Sequence, residues 1–278
     1  MRAWAPLLTA MTYNIREGGT PDRLNRVLAV IAAQRPDLLA LQELRGFLRD
    51  GALLLRRVAD ATGMRAFPAG SWFGQPVAVL VRADAVARAD PLGGPFHHAA
   101  ARVAVATDRG PLTVVGVHLD PHAGWRRLVE ARWLAVRAHP APDRLVLLMG
   151  DLNTLDPWTG HADRLAALPP GQRRRYVRRD GSTVDTRAVA ALARAGFTDV
   201  SPRGGQAHTV PTAHLGGAEF VPSRLDYVLA SAPLAALARD CRVVTGPDAD
   251  RASDHYPVVA RFDLDLTGAG AGQGAGAA

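Results

Sequence analysis

The nine residues from Leu145 to Asn153, Leu-Val-Leu-Leu-Met-Gly-Asp-Leu-Asn, decide how this chain is read. Five apolar side chains in succession, Leu145 to Met149, make a short strand buried on both faces. The run stops at Gly150 and hands over at once to a carboxylate, Asp151, and a carboxamide, Asn153. Asp37 to Gln42 repeats the pattern: a nearly continuous apolar strand that ends at Glu43. Strands of this kind need layers above and below them.

Outward from these two strands the chain alternates between strand and helix. Leu7 to Tyr13 reads as a strand, and Asp22 to Gln34 as a helix with Leu24, Val27, Leu28 and Ile31 at helical spacing before Pro36 stops it. A short helix is expected over Leu53 to Ala61, and strands over Val77 to Val81, Arg102 to Ala106 and Leu112 to Val117. Trp125 to Arg137 reads as an amphipathic helix, with Trp125, Leu128, Val129, Trp133 and Val136 on its apolar face. From Asp156 to Gly181 the pattern dissolves into Pro, Gly and Arg, an irregular insertion of the kind that carries function. A helix near Thr186 to Ala195 follows, with strands at Leu225 to Ala230, Arg242 to Val244 and Pro257 to Asp263. Residues 1–266 are expected to form one domain, and the Gly/Ala-rich stretch 267–278 a disordered tail.

With 278 residues, 48% of them hydrophobic, the chain can bury a sizeable core. The net charge of +7 raises a polyanionic partner, but all 33 basic residues are arginine and none is lysine, a compositional habit that lowers the weight of that inference. Cys241 stands alone and forms no internal disulfide; it is expected to be a buried structural thiol. No stretch approaches a membrane span, and the N-terminus is too short in apolar residues for an export signal. A cytoplasmic location with no stable membrane insertion and no obligate protein partner is the expectation.

Polar groups fit for metal or phosphate recur just past apolar strands: Asn14, Glu43, His118, the pair Asp151 and Asn153, and the pair Asp254 and His255. Each alone is more often a cap or turn residue than a catalytic one. Asp226 differs, because a carboxylate inside the apolar strand Arg-Leu-Asp-Tyr-Val demands a buried partner such as a histidine or a cation. No zinc-type Cys/His set occurs, nor a Gly-x-x-x-x-Gly-Lys phosphate loop. His97, His98, His122, His139, His161, His208 and His214 match no motif and are read as surface or loop residues.

Taken together, Tyr-Asn-Ile-Arg, Leu-Gln-Glu-Leu, Val-His-Leu, Gly-Asp-Leu-Asn, Arg-Leu-Asp-Tyr-Val and Ser-Asp-His-Tyr-Pro-Val resemble, in order, the motifs of the endonuclease/exonuclease/phosphatase superfamily. The resemblance implies an α/β four-layer sandwich, two face-to-face mixed β-sheets flanked by helices, with the site at one end. It implies a Mg²⁺ or Mn²⁺ ion at Glu43, with Asn14 and Asp254 nearby. His255 is similar to the histidine that activates or orients the attacking water, held by Asp226. Asp151 would handle the proton of water or leaving group, and Asn153 and His118 would contact the phosphate.

The motifs say little about what is attached to the phosphate. The segment Tyr-Asn-Ile-Arg-Glu-Gly departs from the abasic-site enzymes, and His118 stands where those have tyrosine. The first reading is a phosphodiesterase acting on DNA or RNA. The alternatives are a phosphoesterase acting on a phospholipid headgroup or a small phosphorylated metabolite, similar to sphingomyelinases or inositol phosphatases, and a non-catalytic binding protein. Arg16, Arg126, Arg127 and Arg173 to Arg175 are candidates to line the cleft, and Trp72, Phe73 and Trp158 to offer stacking or lipid-facing surfaces.

Overall fold

A computed structural model describes residues 7–20, 22–82, 86–202 and 207–267; the expected Gly/Ala tail lies outside them except for Thr267. Among the described residues twelve strands occur: β1 (Leu8–Asn14), β2 (Leu38–Gln42), β3 (Met64–Ala69), β4 (Val77–Arg82), β5 (Val86–Pro91), β6 (Ala99–Thr107), β7 (Gly110–His118), β8 (Leu145–Asp151), β9 (Phe197–Asp199), β10 (Asp226–Ser231), β11 (Ala238–Val243) and β12 (Val258–Phe262). They form two six-stranded sheets, ordered β11-β12-β1-β2-β4-β3 and β5-β6-β7-β8-β10-β9. Each is mixed, with one parallel pair at its centre: β1 with β2 in the first, β7 with β8 in the second.

The period-two alternation of side chains sorts each strand's apolar residues between two cores. Ala10, Leu38, Ala40 and Val79 of the first sheet meet Val103, Val114, Leu147 and Val228 of the second. The alternate residues Met11, Leu39, Leu41 and Leu80 pack outward with Val27, Ile31 and Val58 of helices α1 (Leu24–Gln34) and α2 (Leu53–Thr62). On the opposite side Val115, Val146, Leu148 and Leu229 pack with Ala131, Leu134, Ala188 and Leu192. Those belong to α3 (Gly124–Ala138) and to the helix Arg187–Arg194. Four layers result, as the motifs implied.

Two expectations need correcting. The stripe expected as the apolar face of α3 points outward: Trp125, Val129, Trp133 and Val136 are 40% to 71% exposed. The inward face carries Arg127 and Glu130 beside Ala131 and Leu134. These charges tolerate burial because they bond to loop backbone. Arg127 donates to the carbonyls of Asp120 and Arg175, and Glu130 accepts the N–H groups of His97 (2.7 Å) and Asp120 (2.9 Å). The insertion 156–181 is also less irregular than expected. It contains α4 (Ala162–Ala166) and α5 (Pro170–Arg173), and Leu165, Leu168 and Tyr176 pack with Leu155, Val210 and Leu225 in a small core of their own.

Candidate active site

Strand register assembles the site. In the second sheet Asp151 pairs with His118 across the parallel β7–β8 ladder and with Asp226 across the antiparallel β8–β10 ladder. His118, Asp151 and Asp226 therefore lie side by side on three adjacent strands. In the first sheet Asn14 pairs with Gln42, so Glu43 follows at the same end. Asp254 and His255 lie just ahead of β12, which runs antiparallel to β1. Gly150 permits the close β7–β8 approach, since a Cβ there would collide with the Val117 carbonyl oxygen. Glu43 (φ 60°) and Asn153 (φ 49°) are held in the left-handed region, the local strain that functional positions often carry.

A continuous bonded floor joins the two sheets. Asn14 Nδ2 donates to Glu43 Oε1 and to Asp151 Oδ2, both at 3.0 Å. Asp151 Oδ2 also lies 3.4 Å from His118 Nε2 and 3.8 Å from His255 Nε2, while Oδ1 accepts the Asn153 N–H at 2.8 Å. His255 Nδ1 is 2.8 Å from Asp226 Oδ2, the buried partner that Asp226 required. Asp151, Asp226 and His255 offer ligand-type atoms within 4.8 Å of one another. On the other side Glu43 Oε2 accepts the Glu17 N–H (3.1 Å), Asp254 faces Arg16 Nε at 3.6 Å, and Ser253 Oγ ties Asn14 O at 2.7 Å. Asn153 turns its Nδ2 to the Leu119 carbonyl (3.1 Å).

Burial sets the electrostatics and charge decides their sign. Burial alone would depress His255, but the carboxylates of Asp226 and Asp151 outweigh it and raise its pKa well above the usual imidazole value. Burial would lift Asp151, yet His255, His118 and the Asn153 N–H hold it well below the carboxylate range. His118 is raised: desolvation works against it, and its bond and charge pairing with Asp151 prevail. Asp254 is lifted by burial, with the neighbouring Glu43 charge adding to it. The floor thus holds a cationic imidazole against an anionic carboxylate.

A cleft of about 560 Å³ opens above this floor, lined by Glu43, His118, Asp151, Asn153, Asp254 and His255. Asn14 and Asp226 stand behind it, fully buried. All eight predicted residues are therefore gathered at one end of the sandwich.

Other cleft residues escaped the sequence. His97, His98 and His122, read as loop histidines, form its wall with Glu17, Arg45, Gln75, Tyr176 and Phe220. His98 is buried and stacks on His118 at 4.2 Å, and burial followed by the charges of His118 and His97 pushes its pKa down to about 2. A signal existed: counting back from the two-residue turn Asp108-Arg109 pairs Ala99 with His118, which sets His98 beside it. Of the candidate arginines, Arg175 lines the cleft, Arg16 is engaged with Asp254, and Arg127 is buried as a brace.

Paired mixed sheets whose ends converge on carboxylates, histidines and carboxamides form a site with the donors that phosphoester chemistry needs. The sequence profile of the endonuclease/exonuclease/phosphatase family matches residues 11–255, and the chain belongs to that family. No curated protein matches the chain in sequence. Among solved structures, an AP endonuclease from Archaeoglobus fulgidus superposes with a TM-score of 0.68 at 21% identity, over 92% of this chain and 99% of that one. An endonuclease/exonuclease/phosphatase from Bacteroides vulgatus gives 0.67 at 15% identity, over 94% and 100%. A 3′ phosphatase from Neisseria, bound to a product DNA hairpin, gives 0.65 at 21% identity, over 92% and 99%. At these identities the likeness concerns the fold.

Proposed function

We propose that the chain is a divalent-metal-dependent phosphodiesterase acting on nucleic acid. The observation that carries the reaction is the run Asp226–His255–Asp151, in which a buried carboxylate orients an imidazole whose Nε2 faces a second carboxylate across the cleft floor. Asp151, held anionic, takes the proton of the attacking water as the water oxygen bonds to phosphorus, and passes that proton to the leaving oxygen as its own bond to phosphorus breaks. His255, held cationic by Asp226, donates Nε2–H to a phosphoryl oxygen as charge builds there. His118 and Asn153 complete the phosphate contacts. Asn14 keeps Asp151 and Glu43 in register through its two donated bonds.

Glu43 and Asp254 supply the metal seat, with Asn14 beside it. They are hard oxygen donors, and Asp254 is lifted by burial and by Glu43, a repulsion that a divalent cation relieves. When bound, Mg²⁺ or Mn²⁺ supplies charge neutralisation at the phosphoryl group.

The substrate reading is favoured by a groove of about 690 Å³ that meets the cleft at His122. Arg174, Arg178 and Arg179 line it, all exposed, as a track for further phosphates. A headgroup or small phosphoester leaves such a groove without a role. The Neisseria relative, a 3′ phosphatase bound to a product DNA hairpin, points the same way.

The test is a substrate panel on chelated protein with Mg²⁺ or Mn²⁺ returned: DNA, RNA, sphingomyelin, inositol phosphates and a chromogenic phosphodiester. Cleavage of DNA or RNA that returns with metal and falls steeply with salt is expected. Turnover confined to lipid or small phosphoesters overturns the substrate reading, and turnover that persists in excess chelator overturns the metal.

A further inference from the structure

Large apolar side chains stand exposed beside the cleft. Trp72 is 98% exposed, Phe73 57% and Trp125 51%, and core packing accounts for none of them. Phe73 lies parallel to His97, with ring centroids 4.0 Å apart and planes within 7°. The Arg126 guanidinium sits over the Trp125 ring, 5.4 Å from its centroid. Phe73, His97, Trp125 and Arg126, with Phe96 and Val129, line a cavity of about 250 Å³. Phe73 and His97 line the catalytic cleft as well, so the two spaces share a wall.

We propose that this cavity is a nucleobase slot, which stacks the base of the nucleotide next to the scissile phosphate. The inference rests on the nucleic-acid reading and adds to it an unpaired base at that position. Three features argue for a base. The cavity is smaller than the ~300–1,000 Å³ of sites for drug-sized ligands, a size suited to one flat ring system. Its walls are π faces and a guanidinium, the groups on which bases stack irrespective of sequence. The platform is also held in advance: the His97 N–H is bonded to Glu130 Oε1 at 2.7 Å, and His97 Nδ1 lies 3.3 Å from Asp120 Oδ2. Ordering therefore costs little when the ligand arrives.

An acyl chain fits less well. It would strip water from Arg126 and His97 without offering a polar edge in return. A base offers such an edge and leaves its phosphate free to reach the floor.

Two strands of equal length and phosphate number separate base from backbone, one of thymidines and one of abasic spacers. Kinetics of the wild-type protein and of Trp125→Ala are compared on both, with Val136→Ala, on the same exposed stripe but outside the cavity, as control. Stacking is worth about 1–3 kcal/mol per base, so the wild type should favour the thymidine strand about tenfold in kcat/KM, chiefly through KM. The preference should fall towards one in Trp125→Ala and persist in Val136→Ala. The thymidine strand should also quench tryptophan emission in the wild type. Equal cleavage of both strands by the wild type, or a preference that survives Trp125→Ala, overturns the slot and leaves the nucleic-acid reading standing. Cleavage of neither strand overturns both. Emission that shifts on phosphatidylcholine vesicles but not with the thymidine strand assigns the patch to a lipid surface and overturns the slot.

Discussion

On the floor of the cleft Asn14, Asp151, Asp226 and His255 are buried and bonded to one another, whereas along its rim Phe73, Trp125, Arg174, Arg178 and Arg179 stand exposed on loops and on the start of α3. The floor is fixed by sheet register, because shifting a strand by one residue would turn its catalytic side chain to the opposite face. The rim has no such constraint. The chemistry can thus stay constant while loops re-specify what is bound, as expected where one fold serves many substrates.

The largest effect should come from the floor. His255→Ala is expected to lower kcat by about 10²–10⁴, the range for a positioned proton donor, with the circular dichroism spectrum retained. A folded variant that turns over at near wild-type rate would remove the distinction between floor and rim.

Arg127 joins the two regions, since its guanidinium is buried and holds the carbonyls of Asp120 and Arg175. Arg127→Leu leaves those carbonyls without that donor and should cost about 2–4 kcal/mol by urea denaturation. A cost below about 0.5 kcal/mol would mean that the rim does not depend on this brace. Asp226→Asn probes the floor more gently. It keeps a side chain near His255 but removes the charge that raises the imidazole's proton affinity. We expect kcat to fall at least about tenfold, one pKa unit of lost stabilisation, with KM little changed. An effect on KM alone would place Asp226 in substrate binding instead.

How far each region could be read follows from the same contrast. Central strands such as β2 and β8 carry continuous apolar runs ending in a polar residue, so Glu43 and Asp151 were legible from their place in the chain. The strands the sequence did not announce, β3, β5 and β9, are all sheet edges, with one neighbour each and mixed polar composition. Asp226 was legible through the cost of its burial, though its partner, His255, came from the resemblance of the Ser-Asp-His segment. The α3 stripe misled because helical spacing groups side chains on a face without saying which way it turns. There the charges of Arg127 and Glu130, satisfied by loop backbone, took the inward side. His97 and His98 were missed because their role depends on the β6–β7 hairpin register and on packing against Phe73 and His118.

The smallest effect sharpens the rim itself. Each arginine that neutralises a phosphate releases counterions, so binding should weaken with salt, with a log–log slope that counts the contacts made. Arg178→Ala and Arg179→Ala should each lower the magnitude of that slope by up to about one for DNA, and the double variant by up to about two. Neither should alter turnover of a chromogenic phosphodiester, which reaches the floor without crossing the groove. The two arginines lie next to one another in the groove, so a double-variant change equal to either single one would show that a single phosphate bridges both. A slope that all three variants leave unchanged would return these arginines to the solvated surface, and the substrate's charge would then be met by Arg45 and Arg175 within the cleft.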